Sequence, residues 1–78
     1  MSGQEIFPGV VSDPEILGGA AIIKRTRIPI ALILGHLAGG MSIKELLDEY
    51  DLKIEDVRAA FGYAAELIIA SRSHHISS

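Results

Sequence analysis

The chain has 78 residues, no cysteine, a net charge of −3 and 49% hydrophobic residues with only 5% aromatics. That length supports one small domain, which buries only about 60% of the surface its unfolded chain exposes and is marginal alone. Disulfides and thiolate metal sites are excluded as staples, and the chain carries more apolar side chain than so small a monomer hides, so a homodimer or larger assembly is the expected route to stability.

No apolar run reaches the roughly 18 uncharged residues of a membrane span; the segment from Ile28 to Ala38 is too short. The start, MSGQEIF, lacks the basic first residues and apolar core of a secretory signal. A cytoplasmic location without membrane association is therefore expected. Charge is uneven along the chain. Residues 1–41 balance Lys24, Arg25 and Arg27 against Glu5, Asp13 and Glu15. Residues 42–78 set Lys44, Lys53, Arg58 and Arg72 against Glu45, Asp48, Glu49, Asp51, Glu55, Asp56 and Glu66. An acidic second half is poorly suited to broad nucleic-acid binding.

In chain order, Val10-Val11-Ser12 and Ala21-Ile22-Ile23-Lys24 read as two short strands of a hairpin over 10–24. Their connection, DPEILGG, starts with a residue pair (Ser12, Asp13) suited to capping a turn at Pro14. It ends in Gly18-Gly19, which reverses the chain at positive φ. A lone hairpin is marginal in water, so it must pack on helices or pair with a second copy. Pro29 opens a first helix to about Ala38, apolar on nearly every side except His36, and Gly39-Gly40 ends it.

Ser42-Ile43-Lys44-Glu45 has the spacing of a capping box, with Met41 and Leu46 in the flanking staple positions. A second helix follows over about 43–50. After the short turn Asp51-Leu52-Lys53 a third helix runs from about Ile54 to Ser71. Its apolar stripe is read as Ile54, Val57, Phe61, Ala64 and Ile68. Lys53 stands where a capping Ser, Thr or Asp is expected, which weakens this start by about 1 kcal/mol, while Glu55 and Asp56 suit the positive helix end. Residues 72–78 read as a flexible tail. The predicted architecture is a single, mainly α domain: a short N-terminal β-hairpin, then a three-helix bundle over 29–71 with a helix-turn-helix of homeodomain-like or winged-helix-like type.

Four blocks, SDPEILGG (12–19), TRIPIALIL (26–34), GGMSIKELLDEY (39–50) and IEDVRAAFGYAA (54–65), resemble in their order the bacterial family catalogued as domain of unknown function 433. The resemblance spans roughly residues 11–66. It implies a small helical protein with a homeodomain-like helix-turn-helix, often assigned as an antitoxin of VapB type, with a PIN-like, metal-dependent ribonuclease toxin as its genetic partner. The chain departs from the family pattern at Ala20-Ala21, where Lys-Pro is usual, at Arg25, where Gly is usual, and at Lys53, where Thr or Ser is usual. If that glycine permits a positive φ, Arg25 either carries strain or sits in a different turn.

A catalytic site is hard to assemble from these residues. His74 and His75 form an adjacent pair that rarely makes a preformed metal site, and His36 on an apolar helix reads as a core or interface histidine. Gly18-Gly19 precedes a strand rather than following one, so it is a turn and not a phosphate loop. Neither an enzyme, a cofactor, a metal nor a small-molecule substrate is expected. The candidate DNA contacts are Lys24, Arg25, Arg27, Lys44, Lys53 and Arg58, either as a basic arm before the first helix or near the start of a recognition helix. The competing structural reading ties Arg27 to Asp13 or Glu15. The candidate partner or dimer interface is Ile30, Ile33, Leu34, Leu37, Leu67, Ile68 and Ile69. Together these readings predict a non-enzymatic, antitoxin-like dimer that binds a PIN-like toxin and its own operator DNA. The alternatives are a stand-alone DNA-binding regulator and an oligomerisation module without DNA binding.

Overall fold

A computed structural model describes residues 3–76, with side chains described as far as residue 72. Strands β1 (Gln4–Phe7), β2 (Val10–Ser12) and β3 (Ala21–Ile23) precede helices α1 (Ile30–Ala38), α2 (Ile43–Tyr50) and α3 (Ile54–Ile76). The strands form one antiparallel sheet in the order β1-β2-β3. The expected hairpin is its β2–β3 half, with Val10 opposite Ile23 and Ser12 opposite Ala21.

The third strand, β1, is absent from the sequence reading because QEIF is short and mostly exposed. Pro8-Gly9 is the signal that marks it, a turn dipeptide with Gly9 at φ 85°. A bulge between Glu5 and Phe7 re-aims the strand. Ile6 is left exposed, while Phe7 lies edge-on to Tyr63 at 6.1 Å. The Glu5 carboxylate accepts from the Gly9 N–H at 2.9 Å and fixes the turn.

Local rules account for most boundaries. The Asp13 carboxylate accepts from the Glu15 N–H, and Leu17, Gly18 and Gly19 all take positive φ to reverse the chain. Pro29 caps α1 rather than lying inside it. At the far end Gly40, at φ 108°, lets the Met41 N–H reach the His36 carbonyl and the Gly40 N–H reach that of Leu37, a Schellman closure. The capping box of α2 is complete: Ser42 Oγ accepts from the Glu45 N–H, and Glu45 accepts from the Ser42 N–H. Asp51 ends α2 in left-handed geometry. At the start of α3 only half of such a box exists, the Asp56 carboxylate accepting from the Lys53 N–H at 2.9 Å.

The core lies where the sheet meets the three helices: Val10, Ile23, Ile30, Ile33, Leu46, Leu52, Val57 and Ala60 are buried together. Two expectations change here. The buried stripe of α3 is Val57 and Ala60, flanked by Ala59, Tyr63 and Ala64. Ile54, Phe61 and Ile68, read as part of it, lie on the adjoining flank of the helix and are exposed. The sheet and α1 both pack on the Val57–Ala60 side, and that choice of side is not encoded in the spacing. The second change is length: α3 continues past Ser71 to Ile76, and the rest of the expected tail lies outside the described residues.

Candidate functional site

Ile23, Thr26 and Ile28 build the basic segment. The Thr26 N–H donates to the Ile23 carbonyl at 3.0 Å, closing a four-residue turn. Thr26 Oγ1 donates to the same carbonyl and accepts from the Ile28 N–H. The Lys24 N–H donates to the Gly9 carbonyl, and a Cβ on Gly9 would stand 3.1 Å from that of Ala59. The turn is therefore anchored beside the first turns of α3. Its third residue, Arg25, has φ 69°, the position and geometry at which a type II turn calls for Gly or Asn. An arginine there costs about 1–2 kcal/mol relative to an unstrained conformation.

The six candidate DNA contacts are all exposed, but their surroundings differ. Lys24 Nζ lies 3.5 Å from the Glu5 carboxylate on β1, so its charge is already paired. The Gly9 N–H and then the Lys24 charge hold the Glu5 carboxyl below its ordinary range. Lys44 pairs with Asp48 at 3.2 Å, one helical turn away. Lys53 stands beside the capping Asp56. Arg58 projects from an exposed face shared with Ile54 and Phe61. Among the described residues Arg25 and Arg27 form no ion pair. The expected tie from Arg27 to Asp13 or Glu15 is not formed among the described residues; Asp13 Oδ1 accepts instead from the Glu15 N–H.

The apolar candidates also separate. Ile30 and Ile33 belong to the protein's own core, at 4% and 0% exposure. Their surface is already removed from water within one chain, so they are not available as an interface. Leu37 is half-buried against the same core. Leu34 and Leu67 line an apolar groove of about 340 Å³ between α1 and the second half of α3, floored by Ala21, Pro29 and Ile30. Ile68 and Ile69 are exposed. The sequence reading missed Ile54 and Phe61 as surface residues.

His36 is a half-buried strut: its Nε2 lies 2.9 Å from the Tyr50 hydroxyl, joining α1 to the end of α2. Among the described residues no three His, Cys, Asp or Glu side chains gather in a metal-binding arrangement. His74 and His75 lie outside the residues whose side chains are described. No helix is long and apolar enough to cross a membrane among the described residues.

Known proteins resemble this chain. Uncharacterized protein y4eO of Sinorhizobium fredii is 36% identical over 56 residues, a match covering 70% of this chain and 25% of that protein. The chain thus spans about a quarter of the length of the curated relative it matches. The crystal structure of a DUF433 member protein from Anabaena variabilis superposes with a TM-score of 0.70 at 32% identity, over 90% of this chain and 69% of that one. The model of the family described as "Protein of unknown function (DUF433)" matches residues 10–64, from β2 through the packed part of α3, so the chain belongs to the DUF433 family.

Proposed function

We propose that this chain is a non-enzymatic, antitoxin-like protein that binds a PIN-like ribonuclease toxin and contacts its own operator DNA through the Lys24–Arg27 turn. The toxin and the antitoxin role rest on the resemblance to the DUF433 family, whose members are often assigned as antitoxins of VapB type. In this reading α1, α2 and α3 are a helix-turn-helix of homeodomain-like type, and the basic turn plays the part of the arm that precedes its first helix. Arg25 is the observation that carries the DNA contact. An exposed arginine without an ion pair occupies a left-handed position that suits glycine. Strain of this kind persists where the side chain serves something other than the fold. The outward side of α3 is less suited to DNA, because Ile54 and Phe61 flank Arg58 and no phosphate gains from them.

The test is Arg25→Gly, followed by gel retardation of the protein's own promoter fragment at several salt concentrations. The substitution relieves backbone strain, so the fold gains about 1 kcal/mol. Loss of a phosphate contact lowers affinity and flattens the salt slope by about one. A stabilised variant with unchanged affinity and slope would remove the basic turn from the DNA contact. Co-purification of the chain with the product of a neighbouring PIN-like gene tests the toxin half. A second reading, an oligomerisation module without DNA binding, is favoured by the same apolar outward side of α3, and predicts no retardation even at low salt.

A further inference from the structure

The outward side of α3 carries two rows of residues. Ile54, Phe61 and Ile68 recur every seven positions, and four residues after each come Arg58, Ala65 and Arg72. All six are exposed, the three large apolar ones at 39%, 50% and 61%. Two rows separated by four and repeating by seven are the two seam positions of a coiled coil. The core of the protomer lies on the adjoining face of the helix, through Val57 and Ala60, and the exposure of Ile54, Phe61 and Ile68 shows that nothing in the described chain covers this seam.

We infer that this seam is a homotypic interface, in which α3 of a second copy packs antiparallel against it. The choice of occupant follows from size and charge. In an antiparallel pair, one register sets Ile54 opposite Arg72 of the second copy, Phe61 opposite Ala65 and Ile68 opposite Arg58. The largest ring of the seam then meets its smallest side chain, and each arginine stem lies along an isoleucine with its head at the rim. Glu55, next to Ile54, comes beside Arg72 of the second copy at both ends of the pair. The helix dipoles oppose one another. A parallel pair would instead set Arg58 on Arg58, Arg72 on Arg72 and Phe61 on Phe61, two like-charge contacts and one overfilled layer. A DNA phosphate gains nothing from the three apolar residues. The inference needs neither DNA nor toxin, and it stands or falls apart from the antitoxin reading.

Sedimentation equilibrium of the full chain, without DNA or any other protein, tests it. A reversible dimer is expected. Phe61→Glu places a charge at the centre of the seam and should raise the dimer dissociation constant about 30-fold or more. Glu55→Arg and Arg72→Glu should each weaken the dimer singly, and together restore it, since the exchanged charges again face each other. Both positions are exposed; because Glu55 also faces the positive end of α3, circular dichroism of each variant checks that the helix still forms. A chain that stays monomeric overturns the inference and leaves the seam to a different partner. So does a dimer indifferent to Phe61→Glu. A double exchange no better than its singles overturns the antiparallel register.

Discussion

The two halves of α3 both carry large apolar side chains, but among the described residues only the first buries any of them fully. In the first, Val57 and Ala60 are buried beneath the sheet and α1, and Phe7 and the Pro8–Gly9 turn press on Gly62 and Ala59. In the second, Leu67, Ile68 and Ile69 are all more than half exposed. The helix is continuous through both. What differs is whether anything stands opposite, since apolar residues stabilise only by the surface that a neighbour removes from water. One face of the first half belongs to the protomer's own core, while Ile54 and Phe61 of that half and the described side chains of the second half remain on the surface.

The largest effects should separate these halves. Val57→Ala should cost about 2 kcal/mol, from lost transfer energy and the cavity left behind. Ile68→Ala should stay within about 0.5 kcal/mol for the isolated protomer. Urea unfolding at low protein concentration measures both, and equal losses would erase the distinction. The helical glycines make a finer comparison. Gly35 of α1 has open space where a Cβ would go, so Gly35→Ala should stabilise by about 1 kcal/mol. A Cβ on Gly62 would stand 3.0 Å from the Phe7 ring, and the displaced ring should cancel that gain. A Gly62→Ala variant as stabilised as Gly35→Ala would show that Phe7 does not hold the packed half.

Capping should give a smaller change at the same end. Lys53→Ser supplies the missing half of the box and should add about 0.5–1 kcal/mol, read as a raised urea midpoint. Acid should act most weakly. Glu45 is held below its ordinary value of 4.5, first by the Ser42 backbone N–H, and Glu5 is lowered likewise by Gly9. A depressed folded value stabilises above the unfolded one, so this contribution is full above about pH 4.5 and is lost as pH falls through the lower folded values. Glu45→Gln should flatten the acid limb of the melting-temperature profile, and an unchanged limb would assign acid sensitivity elsewhere.

Residue types showed where the cations and apolar runs lie along the chain, but not which of them are surface: Ile30 and Ile33 are core, and Ile54 and Phe61 are exposed. Arg25 stood out because the resembled family has glycine there, and its left-handed φ supplies the physical reason. The partners of the basic residues were not legible. Glu5 reaches Lys24 only because β1 folds back beside β2, and that strand is too short and polar to announce itself.

The sequence by itself determined the local features. Ser42 with Glu45 starts α2, Gly40 closes α1, Pro29 admits it, and Gly18-Gly19 turns the chain. Each depends on hydrogen bonds and backbone angles within a few residues, so the information lies in adjacent letters. Only the tertiary structure decided which side of α3 is inside, that Ile30 and Ile33 are core while Ile54 and Phe61 are surface, and which cations remain without an ion pair. Those outcomes depend on where distant segments arrive. On α3 several apolar stripes are available, and burial selects one only when the sheet and α1 dock on it.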